Sequence, residues 1–356
     1  MKSVKMFACI FLMSLTVFVS KGETVDTDIY GDVIAIESNM SVAFGLECLG
    51  TNNTLSETMN ISSNKVAVGV GFLDSDDKLD VILGADGSLG GWYESNGDDS
   101  LGWSGNSSST AVSNGMVVGD FDKDGTGDLL FVRPDEKLTW YQCTGEGTLG
   151  WRSDPFGSGS GAKAIAMDDI DNDGVNDLIV AKTTGLNVYN PNGNFLSWSF
   201  KIDNEGHYIS IATGDFDGDA YKDLFVVARG DTDVDPNWDP AWNGVVWYEF
   251  RDDPTDPNVP TGGAKLGFTE AMSVALGDVD GDGVNELIIG NKDRAATWYE
   301  SDGNDSAVLV KGSFPLYNVS DMAIVPASCN IYGADFNGDC TVDLIDYSTF
   351  ADQWLK

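Results

Sequence analysis

The chain has 356 residues and carries 57 Asp and Glu against 20 Lys and Arg, a formal charge of −37, with one histidine, His207. So acidic a surface repels phosphate backbones and anionic membranes, which sets aside nucleic acid and membrane docking and favours cations or cationic partners. One imidazole excludes a multi-histidine zinc site, while 42% hydrophobic residues, with 10 Trp, 11 Tyr and 17 Phe, supply enough apolar mass for a folded core.

Lys2 and Lys5 precede an apolar run from Met6 to Val19, and Ser20-Lys21-Gly22 follows with small residues where cleavage before Glu23 would need them. Residues 1–22 therefore read as a signal peptide, and no stretch is apolar for the roughly 20 residues that a membrane span requires. The expected product is secreted. It retains Cys48, Cys143, Cys329 and Cys340. In an oxidising compartment the close pair Cys329 and Cys340 is the expected disulfide, whereas Cys48 and Cys143 fall in non-neighbouring repeats and are expected as buried free thiols.

Next in chain order comes an internal repeat. GDFDKDGTGDLLF begins at Gly119, DDIDNDGVNDLIV at Asp168, GDFDGDAYKDLFV at Gly214 and GDVDGDGVNELII at Gly277. Each places acids at loop positions one, three, five and nine, ahead of an apolar run. The four sets are Asp120, Asp122, Asp124 and Asp128; Asp169, Asp171, Asp173 and Asp177; Asp215, Asp217, Asp219 and Asp223; and Asp278, Asp280, Asp282 and Glu286. Two partial copies precede them. One has Phe72 at position one and keeps Asp74, Asp76 and Asp80; the other has Thr24 there and keeps Asp26, Asp28 and Asp32. The first positions are spaced by 48, 48, 49, 46 and 63 residues.

Trp92, Trp140 and Trp298 each follow the last loop acid by twelve residues, and Val188-Tyr189 fills that slot in the third loop's repeat. With a β-branched run and a Gly/Asp turn between acid and Trp, and a short apolar run before each loop, a repeat amounts to about four short strands. Their periodicity makes Trp92, Trp140, Trp247 and Trp298 blade-core residues. Four-stranded units of this length cannot bury both faces alone and stack into a ring. Residues 24–60 lack the strand before their loop, and Ser320-Asp321-Met322-Ala323-Ile324-Val325 resembles that missing strand. The expectation is an all-β propeller of about six four-stranded blades over residues 23–326, closed by pairing of its N- and C-terminal strands.

These loops and their spacing resemble the FG-GAP/VCBS family of extracellular β-propellers, to which the α-integrin head belongs. The resemblance implies calcium in the loop between the first and second strand of each blade. Ligand chemistry agrees, because calcium takes six to eight hard oxygens and carboxylates at alternate positions plus a backbone carbonyl at position seven supply them. Without a cation, four such carboxylates would repel one another. The role expected of the ions is to fix turns, not to catalyse.

Residues 327–356 form a separate module. Asp335, Asn337, Asp339, Thr341, Asp343 and Asp346 stand at positions 1, 3, 5, 7, 9 and 12 of an EF-hand-like loop, with Leu344, Tyr347, Phe350 and Trp354 at helical spacing after it. This segment resembles one half of a type I dockerin, which implies a cohesin-like partner. It has one half where that family carries two, and Cys340 stands at the usual glycine. A disulfide-stapled cap on the propeller is the competing reading. With this module, five to seven calcium sites are expected in all.

The long step between the loops at Asp215 and Asp278 comes mainly from about twelve extra residues between Asp223 and Trp247. Trp238, Asp239 and Trp242 there could stack on and hydrogen-bond a sugar, or belong to a solvated loop packed on its own blade. Two function classes follow. The first is a secreted calcium-binding module for a glycan or extracellular protein, serving extracellular polysaccharide utilisation. The second is a polysaccharide lyase or glycoside hydrolase on the same scaffold. No acidic pair stands out beyond the loops, which favours binding.

Overall fold

The computed structural model describes residues 32–325, apart from internal segments that include 38–41, 49–54, 75–78, 96–100, 106–111, 154–160, 231–242, 251–261, 280–283 and 302–307. The signal-peptide stretch 1–22 and the dockerin-like stretch 327–356, with Cys329, Cys340 and all six EF-hand-like ligands, lie outside the described residues. Every described element is a β-strand, and no described helix is long and apolar enough to cross a membrane.

Five blades are contiguous, each an antiparallel sheet of four strands taken in chain order. After β1 (Asp32–Glu37), β2 (Val42–Cys48) and β3 (Leu55–Ser63), the first is β4 (Lys65–Gly71), β5 (Asp80–Ala85), β6 (Ser88–Ser95) and β7 (Leu101–Gly105). The second is β8 (Met116–Gly119), β9 (Asp128–Val132), β10 (Leu138–Gly145) and β11 (Thr148–Ser153). The third is β12 (Ala162–Asp168), β13 (Asp177–Lys182), β14 (Gly185–Asn192) and β15 (Phe195–Asp203). The fourth is β16 (Tyr208–Gly214), β17 (Asp223–Ala228), β18 (Gly244–Glu249) and β19 (Gly262–Gly267). The fifth is β20 (Ala271–Gly277), β21 (Glu286–Asn291), β22 (Ala296–Ser301) and β23 (Val308–Phe314).

A further four-stranded sheet is composite. β24 (Val319–Val325) pairs antiparallel with β1, with Val33 opposite Ile324 and Ala35 opposite Met322, and β2 and β3 complete the sheet. The terminal strands thus pair as the sequence leads one to expect. The strands β4, β8, β12, β16, β20 and β24 touch in succession and back to the first, closing a ring. All six line a central cavity of about 230 Å³. This is a β-propeller.

The burial explains the residue pattern. Each second strand (DVILGA, DLLFV, DLIVAK, DLFVVA, ELIIGN) is buried along essentially its whole length, because neighbouring blades cover both of its faces. A strand covered on both faces reads as a continuous apolar run and not as an alternation. Trp92, Trp140, Trp247 and Trp298 are all buried core residues. Cys143 is a buried free thiol; the side chain of Cys48 lies outside the described residues.

Candidate metal centres

Each acidic loop leaves an innermost strand and re-enters the sheet at the start of the second. The last acid of the loop is therefore also the first residue of a buried strand: Asp80, Asp128, Asp177, Asp223 and Glu286 are each at most 2% exposed. The earlier acids sit nearer solvent and shape the loop by accepting local backbone N–H groups, as Asx turns do. Asp120 Oδ1 accepts Asp124 N–H at 3.1 Å, Asp169 Oδ1 accepts Asp173 N–H at 2.9 Å, and Asp215 Oδ2 accepts Ala220 N–H at 2.9 Å. Asp173 and Asp219 likewise accept the N–H two residues on, at 2.8 and 2.9 Å.

These turns gather carboxylates. In Asp120, Asp122 and Asp128, in Asp169, Asp171 and Asp177, and in Asp215, Asp217 and Asp223, one carboxylate oxygen from each residue lies within 4.8 Å of the others. The three clusters could each hold a metal ion. All their side-chain donors are hard oxygens, which suit calcium and give a soft metal nothing to bind. In the fourth full loop Asp278 and Glu286 are described and Asp280 and Asp282 are not; Asp74 and Asp80 are described and Asp76 is not. Phe72, which takes the first ligand's place there, is 55% exposed. Asp26 and Asp28 lie outside the described residues, and Asp32 opens β1. Trp238, Asp239 and Trp242 also lie outside the described residues, in the stretch of sequence between β17 and β18.

Position nine does more than offer a ligand. One of its oxygens accepts the N–H of loop position two: Leu73 to Asp80, Phe121 to Asp128 and Phe216 to Asp223, each at 2.8 Å, and Val279 to Glu286 at 2.7 Å. The other oxygen accepts an indole N–H, from Trp92 to Asp80 at 2.5 Å and from Trp247 to Asp223 at 2.7 Å. The repeated Trp thus fills the core and carries a polar handle to the buried acid. Phe216 packs edge-on against Trp247 with ring centroids 5.5 Å apart, and Phe121 against Trp140 at 5.4 Å.

Burial pushes these acids up, since the charged form is the one that loses its water. Asp80 and Asp128 rise to about 6 and Asp223 to about 7, with the indole and backbone N–H groups opposing the rise. Asp177 rises to about 8: its blade has Val188 in place of Trp, and Asp171 adds to the burial. Asp171 is itself raised, by burial first and then by Asp173.

Two sets of residues escape the motif. Glu249 lies opposite Asp223 in register, is buried, and forms a further cluster with Asp217 and Asp219. Its counterparts Glu94, Gln142 and Glu300 stand opposite Asp80, Asp128 and Glu286. Gln142 donates to Asp124, and to Thr126 Oγ1 at 3.0 Å; Asn190 hydrogen-bonds Asp171. The signal was present as a polar residue two places after each Trp, or after Val188. Loop position eight, in turn, touches the preceding blade's loop. Asn285 donates to the Asp215 carbonyl at 2.7 Å, Lys222 Nζ lies 3.3 Å from Asp168, and a Cβ on Gly127 would fall 2.4 Å from the Leu73 carbonyl. These contacts bring together the loops at 72–80 and 120–128, at 169–177 and 215–223, and at 215–223 and 278–286.

Residues 120–180 and 169–226 match the model of the FG-GAP-like repeat, and residues 271–310 match that of the FG-GAP repeat. The chain carries FG-GAP repeats. The matched segments hold the loops at 120–128, 169–177, 215–223 and 278–286; the blade with Phe72 and the composite sheet lie outside them. No curated protein sequence matches the chain. Among solved structures the FG-GAP-bearing chain is similar to the BP39L lectin from Burkholderia pseudomallei, with a TM-score of 0.51 at 14% identity over 83% of this chain and 84% of that one. It is also similar to an Agrocybe aegerita lectin specific for non-reducing terminal N-acetylglucosamine (TM-score 0.45, 12% identity, 84% and 96% covered) and to a chain of a nidogen/laminin complex (0.49, 10%, 83% and 98%). At 14% identity the likeness to the BP39L lectin is one of fold alone.

Proposed function

We propose that this chain is a secreted, calcium-stabilised propeller that acts as a binding module for a glycan or an extracellular protein. The observation that carries the calcium reading is the threefold recurrence of an oxygen-donor cluster at equivalent loops, each built on a buried carboxylate. Asp120, Asp122 and Asp128, with the corresponding sets at 169–177 and 215–223, would hold the ions; Asp278 to Glu286 extends the series, and the loops at 72–80 and 24–32 are weaker members. When bound, calcium supplies charge neutralisation and a fixed turn. The ligand-binding reading draws on the acid excess, which disfavours nucleic acid, and on the Trp238, Asp239, Trp242 insertion between Asp223 and Trp247. Residues 335–346 would add a further calcium site, and a cohesin-like partner would tie the module to polysaccharide breakdown.

The deciding experiment is a glycan-array screen of the mature chain with calcium and after chelation, paired with melting curves. Specific retention of a glycan class, and a melting temperature that rises with calcium, are the expected results. Reducing ends or unsaturated uronates released from a retained glycan would replace the binding reading with the enzymatic one. An unchanged melting temperature on adding calcium would sink the metal assignment.

A further inference from the structure

The three clustered loops share their acids and differ in what else reaches the buried one. Asp223 receives two N–H donors, from Phe216 and Trp247, and Asp128 receives those of Phe121 and, at 3.3 Å, Asp122. Asp177 is 0% exposed and neither of its carboxylate oxygens has a hydrogen-bond partner; only the Ile170 N–H is turned toward it. Sequence accounts for the difference. At the core position that is Trp140 and Trp247 in the adjacent blades, this blade has Val188, which is fully buried and brings no donor. The Lys222 ammonium pairs with Asp168, outside the cluster, at 3.3 Å. A buried carboxylate with no donor is costly, and a group that relieves it gains what the others already have from the protein.

We infer that the Asp169–Asp177 loop is the tightest cation site of the propeller, its ion taking the place of the indole N–H that Trp247 supplies to Asp223 and Trp92 to Asp80. The inference rests on the calcium reading above. Binding is a difference between filled and empty loops. The filled loops are alike in their carboxylates, and the empty loop around Asp177 is the least satisfied.

Three variants of the mature chain, Asp169→Ala, Asp120→Ala and Asp215→Ala, each remove one first ligand from a solvent-facing loop. Calorimetric titration of chelator-stripped protein with calcium chloride should show the highest-affinity step lost in Asp169→Ala alone, with the other two losing a weaker step. Loss of the tight step in Asp120→Ala or Asp215→Ala, or indistinguishable steps in the wild type, would overturn the ranking while leaving calcium binding intact. No heat in any protein would sink the calcium reading itself. Val188→Trp should weaken the tight step at least tenfold. Because an indole at a packed position can disturb the blade, Asp177→Asn gives a second reading. Without metal it should melt higher than wild type, whereas Asp223→Asn should melt lower, since an amide sets an N–H against the donors of Phe216 and Trp247. A fall in both would overturn the inference.

Discussion

The blades β12–β15 and β16–β19 are neighbours with the same four loop acids, yet they treat the buried ninth-position carboxylate in opposite ways. In the latter, Asp223 lies beneath Phe216 and Trp247, its oxygens occupied by the N–H groups of both residues. In the former, Ile170 and Val188 occupy those two places, and Asp177 is buried without a hydrogen-bonded donor. The difference shows that one motif can satisfy its buried acid from the protein in one blade and leave it unsatisfied in the next. What decides between them is a residue on the third strand, outside the motif.

The largest expected effect comes from taking the indole away from Asp223, which makes its blade like that of Asp177. Trp247→Phe removes the indole donor from Asp223 and leaves a cavity in a fully buried site, at a cost of about 3 kcal/mol or more. The cavity part is the same with and without metal. Removal of the donor should add a part that calcium restores, so the drop in melting temperature should be larger in chelator than in calcium. Equal drops in both conditions would break the comparison, because the indole would then matter only as bulk.

Much of this was legible in the sequence. The near-48-residue spacing gave the four-stranded unit, the loop acids gave the clusters, and the likeness of 320–325 to a first strand gave the closing pair of β24 and β1. The rest was hidden for physical reasons. Position eight serves one contact with Gly127, Lys222 and Asn285, three residues that solve it by close backbone approach, charge and hydrogen bonding in turn, so no single residue type recurs. Glu249 lies 26 positions beyond Asp223 in the chain but opposite it in the sheet, and the insertion at 231–242 obscures the spacing that would have linked them. Position nine looked like one ligand among four because only the fold shows that it is a buried strand residue.

Asp321 sharpens the comparison as an acid raised by burial but remote from any cation loop. It stands in the wall of the central cavity, where no other ionisable residue is found among the described lining, and its Oδ2 accepts the Val68 N–H at 2.9 Å, tying β24 to β4. Burial pushes it from 3.8 to about 7, against the opposing Val68 and Met322 N–H groups. The fold therefore holds a proton that the unfolded chain releases. Stability from this group is full below about pH 4 and is lost as pH rises through 7. Asp321→Asn keeps the acceptor and removes the charge, so it should raise the melting temperature by a few degrees at pH 8 and leave it nearly unchanged at pH 4, with calcium or without. A gain that depended on calcium would place Asp321 in the same network as the loops.

The smallest effect concerns position six. Three full loops have Gly125, Gly174 and Gly283 there, and the Asp215–Asp223 loop has Ala220, held at φ 73°. A left-handed conformation costs an L-residue roughly 1–2 kcal/mol, and Ala220→Gly removes that while adding back up to about 1 kcal/mol of unfolded-chain entropy. The net gain should be about 0.5 kcal/mol, visible as a slight rise in melting temperature. Gly218 calibrates the measurement: its φ is 82° and a Cβ there would meet nothing within 4 Å, so Gly218→Ala carries backbone strain without crowding and should destabilise. If the two substitutions shift stability in opposite directions, the turn geometry is a fixed property of the protein chain. The loop is then bent by the chain itself, and the blades differ in how well the protein alone satisfies the acid beneath that bend.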